Sequence, residues 1–214
     1  MTSRRHICTF AVSSLFGVHL GASGQDRLVE GQHYVPVSPR QRTRSPQQIE
    51  VIEFFAYSCS HCSVFEPALD AWQKKLPGDV LFRRIPVAFR PEYVIHQALY
   101  FAIEALGLVE QLHRKVFHSN HEAHPHQHLD NADDIAAFVA KNGVDRSRFI
   151  ETMNSFSVAA KIRQANQLAE GYKIEGTPSL GVDGRWLTSG SLAGSNQRSL
   201  LVADYLIAQA RKVR

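Results

Sequence analysis

A run of apolar residues at positions 51–57 is followed by a change in the spacing of hydrophobic positions. The run is β-branched and aromatic with Glu53 as its one charge, and it predicts a strand covered on both faces. After Cys59 the apolar positions recur every three or four residues, which places them on one face of a helix. They are Cys62, Phe65, Leu69, Trp72 and Leu76. Because Pro77-Gly78 ends this helix, a strand, a tight turn and a helix follow in order.

Two further apolar runs predict strands around this unit. The run at 33–37 contains Pro36, which favours the edge of a sheet because proline cannot donate a ladder hydrogen bond. The run at 80–87 closely follows the helix, and such an order predicts a right-handed crossover between parallel strands. The first half of the fold, residues 25–90, is therefore expected to be a β-α-β unit.

The middle of the chain, residues 91–171, has helical spacing and no convincing strand, and we expect a helical insertion there. Asn131, Asp145 and Ser157 are predicted to cap three of its helices. Strand patterns return after residue 172, where Asp183-Gly184 between two apolar runs is a strong hairpin signal. With a closing helix from about Gln197, residues 172–214 form a β-β-α half.

The first 24 residues are typical of an export signal. Arg4 and Arg5 precede an apolar run over residues 7–20, and Ala22-Ser23-Gly24 forms a small-residue cleavage site before Gln25. The run is too short to hold the chain across a bilayer as a folded anchor. Removing this segment also removes Cys8, one of three cysteines in the chain. The remaining two would lie in an oxidising compartment, too few for a disulfide-stapled scaffold.

The charge of the chain gives no indication of a nucleic-acid partner. The formal net charge is +4 over 214 residues, and removing Arg4 and Arg5 with the signal would leave +2. Arg40, Arg42 and Arg44 form the one dense basic run, and a solvated loop explains it better than a phosphate or lipid site. We expect one main fold, because the chain without its signal has an ordinary length for one core.

The motif Cys59-Ser60-His61-Cys62 stands at the expected start of the first helix. Unpaired backbone N–H groups and the helix dipole favour an anion there, and a thiolate is such an anion. His61 should add to this effect if it is protonated or donates a hydrogen bond, so we expect a low pKa for Cys59. Cys62 lies one turn further on the apolar face and should be buried. We interpret the two as a redox-active pair.

Three other interpretations of the pair compete with this one. A purely structural disulfide would close so small a loop that the chain-entropy model gives it only roughly 2 kcal/mol. A zinc site would need histidines as its other ligands, because the chain has no second cysteine pair. Two reduced, inert core cysteines are disfavoured by the polar Ser60 and His61 between them.

Five histidines are concentrated in one short segment of the expected insertion: His118, His121, His124, His126 and His128. Imidazoles at this density can collect zinc, copper or nickel, and the candidate ligands are His121, His124, His126 and His128. A solvated, pH-sensitive loop is the preferred interpretation, because such runs often have no fixed geometry. We expect neither a metal nor another cofactor in the protein.

Several motifs in register resemble the DsbA branch of the thioredoxin superfamily, the exported thiol:disulfide oxidoreductases of Gram-negative bacteria. Glu53-Phe54-Phe55 ahead of the cysteine motif is similar to that family's strand and active site, and Phe65-Glu66-Pro67 follows as in many members. Gly176-Thr177-Pro178 is similar to its cis-proline loop. The resemblance covers essentially the whole chain after the signal, most weakly between residues 114 and 131. Ser60 replaces a proline of the best-known member.

This resemblance implies an α/β thioredoxin fold with β-α-β and β-β-α halves and an inserted α-helical domain. It implies a Cys59–Cys62 disulfide that oxidises substrate thiols, with Cys59 as the exposed nucleophile and His61 as a stabiliser of its thiolate. Glu53 is then similar to the buried carboxylate that exchanges protons with the inner thiol, the alternative being a carboxylate paired with a lysine. Pro178 should be cis and expose the backbone of Thr177 to an extended substrate.

The resemblance also implies the partners of the protein. Unfolded exported proteins would be its substrates, and a DsbB-like membrane quinone oxidoreductase would reoxidise it in the periplasm, where it would act as a monomer. A reductase or isomerase of the same fold is one alternative, although such isomerases usually carry an added dimerisation domain for which this chain has no room. A periplasmic metal-binding protein that uses the cysteines and histidines as ligands is the other alternative.

Overall fold

The computed structural model describes residues 27–123 and 128–214, so the expected export signal lies outside the described residues. A five-stranded sheet has the order β1-β5-β4-β2-β3. Its strands are β1 (Val35–Pro36), β2 (Ile49–Phe55), β3 (Val80–Pro86), β4 (Ser179–Val182) and β5 (Trp186–Ser189). β2 and β3 are parallel and the other pairs are antiparallel. As Pro36 predicts, β1 lies at an edge.

Helices follow the strands in the expected pattern of two halves and an insertion, which confirms the predicted fold class. The first half holds α1 (Ser60–Gln73), and the second holds the short α7 (Gly190–Ala193) and α8 (Asn196–Lys212). Between β3 and β4 come a 3₁₀ turn (Pro91–Tyr93) and the helices α2 (Val94–Ala105), α3 (Val109–His121), α4 (Ala132–Lys141), α5 (Arg146–Met153) and α6 (Phe156–Gly171). Within the described ranges, no helix has the length and apolar character needed to cross a membrane.

Local sequence accounts for where several of these helices begin. Asn131 and Asp145 each accept a hydrogen bond from the backbone N–H three residues ahead, as predicted for caps of α4 and α5. The prediction of Ser157 as a cap is wrong, because the side chain that accepts from the first turn of α6 is that of Ser155. Ser155 has the extended backbone of a cap, whereas Ser157 already lies within the helix.

β2 is buried along its whole length and divides the core into two apolar clusters. Ile52 and Phe54 pack against the helical insertion, whereas Ile49 and Val51 pack on the other face against α1 and α8. Burial on both faces explains why the strand is a nearly continuous apolar run. Because β2 ends at Phe55, the chain reaches the first residue of the cysteine motif at the carboxyl end of this strand.

The hairpin of β4 and β5 places the proline loop beside that motif. Asp183 and Gly184 both have positive φ, at 53° and 68°, as the predicted tight Asp-Gly turn requires. Antiparallel pairing sets Ser179 of β4 opposite Phe54 of β2. The residues just before β4 therefore lie at the same end of the sheet as those just after β2.

Candidate active site

The two cysteines lie where the chain turns from β2 into α1. Cys59 is the N-cap residue of the helix, and its carbonyl accepts hydrogen bonds from the backbone N–H groups of Cys62 and Ser63. Cys59 is half-buried, whereas Cys62 is fully buried one turn further along. Both are free thiols, so the structure describes the dithiol form of the pair.

The pKa values of the two thiols shift in opposite directions. The pKa of Cys59 falls to about 5, chiefly because the Cys62 thiol donates a hydrogen bond to its sulfur. Hydrogen bonds from Thr177 and from the backbone N–H groups of Cys62 and His61 lower it further, while burial opposes the change. Burial raises the pKa of Cys62 far above that of an ordinary thiol, and the Cys59 sulfur adds to this effect. Near neutral pH one sulfur is therefore a thiolate and the other a thiol.

The loop ahead of β4 lies against the first cysteine. The Thr177–Pro178 peptide is cis, and Cys59 Sγ lies 3.3 Å from the carbonyl oxygen of Thr177. The imidazole of His61 is exposed and, with Thr177 and Pro178, lines an open cavity of about 950 Å³. The cavity is large enough for a peptide segment, and it borders the loop that contacts Cys59.

Glu53 lies on β2 and is completely buried. Its Oε2 accepts a hydrogen bond from Arg84 Nε at 3.1 Å, and a second Arg84 nitrogen donates to Glu66 Oε1 at 2.6 Å. Burial raises the pKa of Glu53 to about 8, although Arg84 opposes the effect. The charge of Glu53 in turn helps to raise the pKa of Cys62. The alternative interpretation of Glu53 expected a lysine as its partner, and the partner is an arginine.

Side chains of the helical insertion hold the backbone of Tyr57, two residues before the cysteine motif. The carbonyl of Tyr57 accepts hydrogen bonds from Asn120 Nδ2 at 3.3 Å and from His121 Nε2 at 2.8 Å. Asn120 Oδ1 also accepts from the backbone N–H of Leu129. The start of the active-site turn is therefore fixed by side chains from α3.

The same contacts bear on the candidate metal ligands. His121 Nε2 is occupied by the Tyr57 carbonyl, and His118, from the same histidine segment, pairs with Glu122 at 3.0 Å. His124 and His126 lie outside the described residues. In the described part of the chain no group of three or more histidine, cysteine or carboxylate side chains is placed to hold a metal ion.

Sequence reasoning did not assign a role to Arg84, Glu66, His113 or Asn120. Arg84 is a charge within an apolar strand, and Glu66 follows Cys62 by four residues on the apolar side of α1, so both positions carried a signal of burial. His113 and Asn120 recur with Leu112 and Val116 of α3 at helical spacing, which also places them on a buried face.

A thioredoxin-type sheet with a dithiol at a helix start and a cis-proline loop beside it defines the class of thiol:disulfide oxidoreductases. The family model described as the DSBA-like thioredoxin domain matches residues 94–202. Relatives named thiol:disulfide interchange protein DsbA are 35 to 40% identical to this chain over most of their length. The chain belongs to the DsbA family and is a protein-disulfide oxidoreductase.

Two relatives and two solved structures illustrate the match. DsbA of Pseudomonas aeruginosa PAO1 is 35% identical over 201 residues, 94% of this chain and 93% of that protein. DsbA of Bordetella pertussis Tohama I is 40% identical over 182 residues, 85% of this chain and 86% of that protein. A crystal structure of P. aeruginosa DsbA superposes with a TM-score of 0.83 and 34% identity, covering 87% and 96% of the two chains. That of Xylella fastidiosa DsbA gives 0.79 and 30%, covering 86% and 98%.

Proposed function

We propose that the protein introduces disulfide bonds into unfolded exported proteins by passing on a disulfide formed between Cys59 and Cys62. The observation that carries this proposal is the contrast between the two sulfurs, since the pKa of Cys59 falls to about 5 while that of buried Cys62 rises. A stable thiolate is a good leaving group, and a stabilised dithiol form makes the disulfide form an oxidant. This favours an oxidase over a reductase.

The reaction proceeds through a mixed disulfide. A substrate thiolate attacks Cys59 Sγ, the Cys59–Cys62 bond breaks, and its electron pair passes to the Cys62 sulfur. Glu53 gives its proton to that buried sulfur, for which a carboxyl group with a pKa of about 8 is well suited. A second substrate thiolate then attacks the substrate sulfur, which releases the product disulfide and the Cys59 thiolate. Two electrons have moved from substrate to enzyme.

Substrate would lie beside the proline loop in an extended conformation. The carbonyl of Thr177 contacts the Cys59 sulfur, so a chain bonded to Cys59 would run past the Thr177–Pro178 peptide. Main-chain pairing of this kind tolerates many sequences, as an oxidase of unrelated proteins requires. His61 would approach the thiolate from the solvent side, since its imidazole is exposed at the same cavity.

Membership of the DsbA family supports a proposal for the partners and the compartment. A DsbB-type membrane protein would accept the two electrons from reduced enzyme and pass them to quinone. We place the protein in the periplasm as a monomer, after removal of residues 1–24 as an export signal.

Two cysteine variants test the proposal in the protein from residue 25 onward. Cys59→Ala should abolish oxidation of a reduced test protein, because it removes the attacked sulfur. Cys62→Ser should leave Cys59 able to attack a substrate disulfide and should accumulate mixed disulfides, because no second sulfur can resolve them. Ser58→Ala, a change beside the motif, serves as the control and should retain activity. Undiminished activity of Cys59→Ala would overturn the mechanism.

A further inference from the structure

A buried carboxylate in the hairpin turn between β4 and β5 faces more arginines than it needs. The side chain of Asp183 is completely buried, and it accepts hydrogen bonds from three guanidinium groups, those of Arg40, Arg185 and Arg214. One guanidinium is enough to neutralise one carboxylate, so this group carries surplus positive charge. The surplus reaches the surface, because the three arginine side chains are 22% to 46% exposed.

These arginines border an open cavity of about 570 Å³. Its lining adds Arg42 as a fourth arginine and, among the described residues, contains no carboxylate side chain. Arginines outnumber carboxylates here even when Asp183 and the α-carboxylate of Arg214 are counted. Cavities of roughly 300 to 1,000 Å³ hold small organic ligands, so this one is large enough for an anion with an organic substituent.

Two other carboxylates close to the arginines are already neutralised by partners of their own. Glu50, whose carbonyl accepts from the backbone N–H of Asp183, is bonded through both carboxylate oxygens to Arg83. Asp79 is bonded through both oxygens to Arg211 of α8. The positive charge at the cavity therefore remains available to a bound anion.

Several guanidinium N–H groups at the cavity have no protein acceptor. Arg185 donates from Nε to Asp183, and in the described part of the chain its two terminal nitrogens form no hydrogen bond. The side chain of Arg42 likewise forms none with the described residues, and Arg42 is exposed. A guanidinium presents its donors as a planar fork that matches two oxygens of a phosphate or carboxylate. These donors are open to solvent and to an anion.

The loop that carries Arg40 and Arg42 is fixed against the hairpin turn. The backbone N–H of Gln41 donates to the carbonyl of Gly184 at 2.9 Å. A Cβ atom at Gly184 would lie 2.1 Å from the carbonyl oxygen of Gln41, so glycine is what permits this close approach. An anion would thus meet arginines that are already gathered, which lowers the entropy cost of binding.

We propose that this arginine-lined cavity is a binding site for a phosphate group, which Arg42 and Arg185 hold through their unused donors. Arg40 and Arg214 add positive charge beneath it. A phosphate monoester carries a charge of about −1.5 to −2 at neutral pH and has three strong acceptor oxygens, so it matches the surplus better than a carboxylate does. The sequence pattern favours a solvated loop for the basic run because it does not show that Arg185 and Arg214 join Arg40 and Arg42.

The cavity lies away from the redox site. The backbone N–H of Asp183 bonds to Glu50 near the amino end of β2, whereas Cys59 follows the carboxyl end of that strand. A phosphate group bound at the arginines would leave the cysteines and the proline loop free. Binding is therefore independent of the proposed oxidase activity, and the oxidised and reduced forms should bind phosphate equally.

An NMR titration of nitrogen-15-labelled protein, residues 25–214, with inorganic phosphate at constant pH and ionic strength tests the proposal. Backbone signals of the loop and the hairpin turn should shift and saturate, while those around Cys59 stay in place. Arg42→Gln should raise the dissociation constant at least about fivefold, because a charge-assisted hydrogen bond is lost. This variant should fold as wild type does, since the Arg42 side chain has no hydrogen-bond partner among the described residues.

Arg44→Gln is the matched control, because it removes the same charge from the same loop and Arg44 is not among the residues that line the cavity. It should change the dissociation constant by less than about twofold, since an exposed charge outside the site is screened by salt. Absence of saturable shifts in the loop and the hairpin turn would overturn the proposal. An equal loss of affinity in both variants would also overturn it, because general surface charge would then explain the binding.

Vesicles separate the two sources from which the phosphate group could come. Phosphatidylcholine vesicles with and without phosphatidic acid, whose headgroup is a phosphate monoester, are sedimented with the protein. Once phosphate binding is established, co-sedimentation that requires phosphatidic acid and that Arg42→Gln weakens more than Arg44→Gln identifies a lipid headgroup. Co-sedimentation that both variants weaken equally, or none at all, identifies a soluble phosphate ester.

Discussion

Replacing Glu53 by glutamine should stabilise the protein, and more strongly as the pH rises. The side chain is completely buried, its Oε1 has no partner among the described residues, and it shares its one cation with Glu66. Its pKa rises from 4.5 to about 8 on folding, chiefly through burial. A group with a raised pKa contributes its full stability below the unfolded-state pKa, and that contribution is lost as the pH rises through the folded-state pKa.

The size of the effect follows from this difference in pKa. Each pKa unit corresponds to about 1.4 kcal/mol, so the rise from 4.5 to about 8 sets an upper limit of about 5 kcal/mol on the stability that Glu53 removes by pH 8. Glutamine carries no charge and leaves Arg84 paired with Glu66, so it should avoid this loss. With structural relaxation we expect at least about 2 kcal/mol of it to be measurable.

Urea unfolding of the reduced protein at about pH 5 and pH 8 measures this directly. The free energy of unfolding of Glu53→Gln relative to wild type should increase between the two pH values by about 2 to 4 kcal/mol. Taking the difference from wild type cancels the titration of other groups. Glu151→Gln, at an exposed position on α5, should show no such increase. A Glu53→Gln advantage that is the same at both pH values would refute the reasoning.

Three other substitutions test separate parts of the site. Cys62→Ala should raise the pKa of Cys59, measured by thiolate absorbance near 240 nm, by at least about one unit because the largest stabilising hydrogen bond is lost; an unchanged midpoint would contradict this. His61→Leu should raise the same pKa by less, since the backbone N–H of His61 remains, and a larger rise would contradict this. Asn120→Ala should lower the free energy of unfolding in urea by about 1 to 3 kcal/mol, since it leaves a buried N–H without its acceptor. A stability equal to wild type would show that the α3 contacts do not hold the turn.

Much of the fold could be predicted from the sequence because the signals that specify its strands, helices and turns are local. The apolar run of β2, the helical spacing after Cys59 and the Asp183-Gly184 turn each specify one element without reference to the rest of the chain. The misassigned cap of α6 shows the limit of this reasoning. Ser155 and Ser157 are equally good caps by residue type, and residue type alone does not indicate which of them has the extended backbone of a cap.

The candidate site was predictable only in part, because its buried charges meet across long distances in the chain. The cysteine motif is contiguous, and the proline loop carries a recognisable motif. By contrast, Arg84 on β3 contacts Glu53 on the neighbouring strand β2 and Glu66 on helix α1. The role of Arg84 therefore depends on strand register and helix packing. His113 comes from the insertion, and no local pattern indicates that its ring lies beside Glu66.

The redox equilibrium of the purified protein, residues 25–214, against glutathione tests the central claim most directly. Thiol labelling would follow the oxidation state, with Trp72 and Trp186 fluorescence as a second signal. We predict a reversible two-electron couple between Cys59 and Cys62 with a potential well above that of the glutathione pool. A potential near that of thioredoxin would contradict the claim and identify a reductase. Absence of a reversible couple would contradict it more fully and favour a metal-binding role for the cysteines.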